Sequence, residues 1–225
     1  MDAARVVRMK NRNALYHGGA RVLTCAYEYP QFFSRAYQAG LDAVNAVYRA
    51  RSAEWQAQCR GELYQQAIEE LRLSRENGYP FRPFDAEALF TVTYNADCAI
   101  SLYTDSYVYT GGAHGNTVRT ADTWDIATGE ARTLADFFPA GFDYRAYILE
   151  FVAAEIERQQ AAGQNIYFDD AARLAAETFD EDDFYLRNEG LSVYFQQYAI
   201  APYASGILSF TLPYAEGGPT RPRCA

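Results

Sequence analysis

The chain has 225 residues, of which 49% are apolar, so it can bury a sizeable core and is not a disordered polymer. Its formal net charge is −9, and the stretch from Glu130 to Gly190 carries all of it, with 14 acidic residues against 5 arginines. That argues against a nucleic-acid binder, which needs a basic footprint, and leaves two readings of the acidic segment: a face for a basic partner through electrostatic complementarity, or a solvated surface that aids solubility.

In chain order, residues 1–19 read as a polar, basic N-terminal arm. "ARVLTCAYEYP" (20–30) mixes β-branched and aromatic residues and reads as a strand. A long helical region follows. Phe33, Tyr37, Leu41, Val44, Tyr48, Trp55, Cys59 and Leu63 recur at helical spacing and predict one apolar face, with a bend at Gly61. "ENGYPFRPF" (76–84) ends it with Asn-Gly and two prolines. "ALFTVTYNADCAISLYTDSYVYT" (88–110) alternates apolar and polar residues and predicts antiparallel strands turning at 95–97. "TVRTADTWDIATGEARTL" (117–134) reads as a hairpin turning at Thr128-Gly129.

The acidic segment reads as mostly helical. It includes "TLADFF" (133–138), a helix with Tyr147, Phe151, Ala154 and Ile156 inward and Gly163 as its stop, and a shorter helix over "DDAARLAAETF" (169–179). Two strands around "APYASG" (201–206) close the chain. Strands, helices and strands without β-α alternation predict an α+β fold with antiparallel sheets and packed helices in two intimately associated subdomains. The expected division is an arm over 1–19, an N-terminal module over 20–116 and a C-terminal module over 117–225.

The four cysteines show no C-x-x-C spacing, which argues against a zinc ribbon or a thioredoxin-like site. Cys25 and Cys98 read as small core residues in strands, and Cys224 as exposed, without a disulfide scaffold. No secretory leader and no run of 18 apolar residues is visible, so the sequence, taken as complete, reads as cytoplasmic.

Catalytic signatures are scarce. The histidines are His17 and His114, and no zincin, phosphate-loop or nucleophile-elbow pattern occurs. No metal site and no cofactor are expected. Asp169-Asp170 and the 180–183 carboxylates read as helix caps and exposed charge. "VYTGGAHGNT" (108–117) places Gly111, Gly112 and Gly115 around His114. Glycine there predicts an irregular turn, with His114 hydrogen-bonding nearby backbone to pin it. The alternative is a catalytic His114 beside a carboxylate.

"YTGGAHGN" (109–116), "WDIATGEARTLADFF" (124–138) and "GLSVYFQQYAIAPYASGILSFTLPY" (190–214) together resemble the extracytoplasmic domain of RsiV-type anti-sigma factors, a domain of unknown function in many bacterial secreted or membrane-tethered proteins. "YEYPQF" through "FTVTYN" resembles the module that precedes PdaC-type peptidoglycan deacetylases. The resemblance covers about residues 20–215. It implies a non-enzymatic, extracytoplasmic α+β domain pair that binds lysozyme in the RsiV-type members. There the loop matching "APYASG" meets the lysozyme active-site cleft. By that match Pro202 and Tyr203, with Ala204 beside them, are the expected contacts, flanked by Tyr109 and Thr110, while Gly111, Gly112, His114 and Gly115 form the identifying structural loop. The membrane-spanning, sigma-binding and deacetylase parts are not seen in these residues, and "ETFDEDDF" (177–184) lacks the glycine of the deacetylase motif it superficially resembles. The expected function is therefore non-catalytic binding. The remaining alternatives are the enzyme using His114 and an intracellular interaction domain whose tyrosine-rich face pairs with another subunit.

Overall fold

The computed structural model describes residues 3–164 and 166–224. The fold is α+β. Among the described residues one sheet takes strands β1 (Arg5–His17), β2 (Ala20–Phe33), β3 (Phe84–Ala96), β4 (Ala99–Tyr109) and β5 (Asn116–Asp125) side by side in that order. A second, antiparallel sheet takes β6 (Phe184–Leu186), β7 (Gly190–Phe195) and β8 (Leu208–Pro213). The helices are α1 (Gln38–Gln58), α2 (Tyr64–Asn77), α3 (Tyr144–Ala161) and α4 (Ala171–Thr178).

The expected N-terminal arm is instead strand β1, paired antiparallel to β2 from Arg5↔Phe33 to His17↔Ala20. Its basic residues are accommodated there because Arg8 and Lys10 both ion-pair with Glu28 of β2. Alongside the expected antiparallel pairing the first sheet contains a parallel pair. β2 pairs with β3 in parallel, from Leu23↔Phe84 to Tyr27↔Ala88. The helical segment 38–77 is the crossover that a parallel pair requires, since a short turn would return the chain antiparallel.

Helix α1 buries Leu41, Val44 and Tyr48 as its spacing predicts. Phe33 departs from that face, being the exposed last residue of β2. The bend expected at Gly61 is a π-helical turn, Cys59–Leu63, which joins α1 to α2 without breaking the helix and turns Cys59 and Leu63 inward. The β3–β4 turn sits at Asp97 and Cys98, both at positive φ, as a type I′ hairpin turn requires. On α3 the buried stripe is Ile148, Val152 and Ile156, an i, i+4, i+8 series, while Tyr147 and Phe151 are half-buried and Ala154 is exposed. Gly163 follows α3 at φ +85°, the left-handed stop expected there. "TLADFF" makes only a short 3₁₀ turn, Leu134–Phe137, closed by reciprocal bonding of Thr133 and Asp136.

The cysteines depart most from expectation. Cys25 bonds to Cys59 and Cys98 to Cys224, and no free cysteine remains among the described residues. Cys25 and Cys98 are buried and Cys224 is exposed, as read, but Cys98 lies in the hairpin turn. Partners 34 and 126 residues apart leave no local spacing signal.

The chain forms two compact units that are not consecutive in sequence. One holds the segment up to Ala4, Thr91–Tyr103 and everything from Arg119; the other holds Arg5–Phe90 and Thr104–Val118. The core of the first gathers Leu134, Phe137, Ile148, Val152, Leu191, Val193, Phe195 and Phe210. That of the second gathers Val22, Leu23, Cys25, Cys59, Leu63, Ala67 and Phe84.

Candidate binding surfaces

The connection from β7 to β8 carries Pro202, Tyr203 and Ala204, and its backbone is tied down on both sides. At its start Gln196 clamps β5: its Oε1 accepts from Arg119 N at 3.0 Å and its Nε2 donates to Arg119 O at 2.8 Å. Tyr198 follows at φ +66°, a left-handed conformation uncommon for a residue with a side chain. Ile200 and Ala201 then turn into the core, and Ile200 O accepts from Phe168 N at 3.1 Å. Pro202 opens a 3₁₀ turn, Tyr203–Ser205, whose Ser205 hydroxyl donates to Ile166 O at 2.7 Å. Gly206, at φ +70°, leads the chain into β8.

This anchoring leaves Tyr198, Pro202 and Ala204 exposed and Tyr203 half-buried. Tyr198 is 51% exposed, and its ring lies 5.7 Å from that of Tyr203. Two tyrosines and a proline thus stand on a fixed loop. Rigid aromatic side chains displayed this way give contact area at low entropic cost. The sequence alone does not single out Tyr198. Its signal is a tyrosine on the far side of the buried Ile200-Ala201 pair from Tyr203.

Asp170, Asp180 and Asp183 are engaged in local structure. Asp170 ion-pairs with Arg173 on α4. Asp180 Oδ1 accepts from Asp182 N at 3.0 Å in a turn, so the 180–183 run is a loop rather than a helix cap. Asp183 accepts from Gln196 Nε2 at 3.2 Å; burial pushes its carboxyl above the usual range, and Asp180 and Asp182 push it the same way.

The glycine stretch occupies the β4–β5 connection, in the other compact unit from Pro202 and Tyr203. Gly111 takes φ +92°. Gly112 O accepts from Tyr109 OH at 3.0 Å and from Arg82 Nη1 at 3.2 Å. Tyr109 therefore braces its own loop. Gly115 is buried, and a Cβ there would stand 2.6 Å from Tyr107 Oη and closer still to the ring carbons, so a side chain at this position has to displace that ring. His114 is exposed, and its Nδ1 lies 2.9 Å from Gly115 O, where an Nδ1–H donates to the carbonyl. Thr110 is exposed at the edge of the same loop. Among the described residues no group of three or more His, Cys, Asp and Glu is placed to hold a metal ion, and no helix is long and apolar enough to cross a membrane.

Comparison with known proteins agrees with this architecture. Residues 16–117 match the family model described as "Deacetylase PdaC", and residues 135–215 match "Protein of unknown function (DUF3298)". Among solved structures, a DUF3298 family member from Bacteroides fragilis superposes with a TM-score of 0.72 at 16% identity, covering 95% of this chain and 91% of that one. A DUF3298 family protein from Pseudomonas aeruginosa superposes at 0.62 with 15% identity, covering 94% and 91%. At such identities the likeness is one of fold. No curated protein matches in sequence.

Proposed function

For a chain that joins a PdaC-type segment to a DUF3298 segment, we propose a non-catalytic binding module whose β7–β8 loop recognises a basic, lysozyme-type protein outside the cytoplasm. The observation that carries this reading is the anchored loop that displays Tyr198, Pro202 and Tyr203 on fixed backbone. Tyrosines on a pre-ordered loop are what energetic centres of protein interfaces are made of. The acidic segment from Glu130 to Gly190 falls in the same compact unit and supplies the attraction that speeds encounter with a cationic partner. Two disulfides support an oxidising compartment, where such bonds form and persist. The hydrogen bond from His114 to its own loop supports a structural rather than catalytic histidine.

Titration calorimetry with a c-type lysozyme tests the proposal. Binding is expected at low ionic strength and to weaken with salt. Pro202→Ala with Tyr203→Ala should weaken it by about tenfold or more. Absence of heat and of a complex in gel filtration with several lysozymes overturns the partner.

A further inference from the structure

A second surface, in the other compact unit, is a groove of about 330 Å³ lined by Glu70, Tyr79, Pro80, Arg82 and Gly111. Its volume lies at the low end of the range that small-ligand sites occupy. Local structure presents each side chain. Helix α2 ends at Gly78 in the left-handed conformation, and Tyr79 N then donates back to Ser74 O at 3.1 Å. That reversal brings the Tyr79 hydroxyl back to the helix, where it donates to Glu70 Oε1 at 3.0 Å. Pro80 stiffens the next step. Arg82 is held by Gly112 O at 3.2 Å, and Tyr109 Oη lies 3.5 Å from the same nitrogen. Gly111 carries no side chain into the groove.

Tyr79 is 42% exposed, while its hydroxyl engages Glu70 and Arg82 is held by the Gly112 carbonyl. The groove thus offers an aromatic surface together with one carboxylate acceptor and one guanidinium donor in its lining, whose formal charges cancel. A phosphate or an organic acid would meet Glu70, and a cation would meet Arg82. A neutral ligand with one apolar face and hydroxyls at its edge fits all of these elements. Its C–H face stacks on the electron-rich ring, and its hydroxyls both donate to Glu70 and accept from Arg82. We propose that this groove beside the glycine loop is a binding site for a neutral saccharide, with Tyr79 as the stacking platform and Glu70 and Arg82 as its hydrogen-bonding edges. The pre-set side chains lower the ordering cost that otherwise makes small shallow sites weak.

The test is an NMR titration of the intact chain with chitotetraose and with cellotetraose, each to about 10 mM, the range in which a weak single-ring site saturates. Saturable shifts are expected at the amides of Tyr79 and Gly111 with at least one of the two. Tyr79→Phe keeps the ring and should retain affinity within about threefold, whereas Tyr79→Ala should lose about tenfold or more. Circular dichroism melting verifies that both variants are folded. No saturable shift with either sugar overturns the proposal. So does unchanged affinity in Tyr79→Ala, or shifts confined to residues outside the groove. A proline-rich decapeptide run in parallel overturns it if the peptide binds at Tyr79 and the sugars do not. Since Pro202 and Tyr203 take no part, loss of lysozyme binding and loss of sugar binding are separate results.

Discussion

Asp125, at the end of β5, organises a turn that resembles ordinary loop in one dimension. Its carboxylate accepts from Ala127 N at 2.8 Å and Thr128 N at 3.3 Å and ion-pairs with Arg132. Its backbone N–H donates to Glu130 O at 2.9 Å. The turn read from Thr128-Gly129 is this one, closed by a bridge between Trp124 and Ala131 and a positive φ at Gly129. Burial pushes the Asp125 carboxyl up, but Arg132 and the two backbone amides outweigh it and hold it below the usual value. A lowered folded-state pKa means that its stabilisation is complete above the ordinary aspartate value of about 4 and is lost as pH falls below it. Asp125→Ala leaves two amides and a guanidinium without that acceptor and should cost about 2–3 kcal/mol in urea unfolding at neutral pH. The deficit relative to the parent chain should shrink towards pH 3. A constant deficit across that range would contradict the assigned role.

At the scale of elements, β7 is the central strand of its sheet and every residue of it is buried. Leu191, Val193 and Phe195 face the core shared with α3 and α4, while Ser192 on the opposite face shares a hydrogen bond with Thr211 of β8 at 2.7 Å. A strand covered on both faces reads as a nearly continuous apolar run, which is how "GLSVYF" is legible as a strand without alternation. Its first residue is where packing is least forgiving. A Cβ on Gly190 would stand 2.8 Å from Leu212 C and closer still to Leu212 O, both backbone atoms of β8. Gly190→Ala therefore has to displace paired backbone and should destabilise by about 2 kcal/mol or more, measured by chemical unfolding. Gly61→Ala in the π-helical turn meets open space and should be neutral or mildly stabilising, which makes it the control.

At the scale of the whole molecule, each compact unit is closed by its own disulfide: Cys25–Cys59 in one and Cys98–Cys224 in the other. The second ties the C-terminal segment to the β3–β4 hairpin turn across 126 residues, and the first ties β2 to the π-helical turn across 34. In the chain-entropy description these loops correspond to about 5 and about 4 kcal/mol of stabilisation, upper values from which native-state strain subtracts. Non-reducing peptide mapping should recover these two pairings. Cys98→Ser with Cys224→Ser should lower stability more than Cys25→Ser with Cys59→Ser, and a reversed order would show that unfolded-chain entropy is not the main contribution.

What the sequence determined by itself is what neighbouring residues decide. Leu41, Val44 and Tyr48 mark a helix face because the helical period brings them together. Gly78 and Gly163 end helices because little else accepts their backbone angles at low cost. The motifs from Tyr109 to Tyr214 mark the fold through their resemblance to a known family, and that resemblance alone singles out Pro202, which is exposed, and Tyr203, which is half-buried. Tertiary structure decided the rest. The parallel pairing of β2 with β3, the place of residues 5–17 in the sheet and both cysteine pairings join segments with no periodic relation to one another. Tyr198 beside Tyr203 and Tyr79 beside Arg82 become surfaces only once the backbone between them is anchored. Such pairings are chosen by which arrangement buries the most apolar surface and satisfies the most backbone, a comparison made over the whole folded chain.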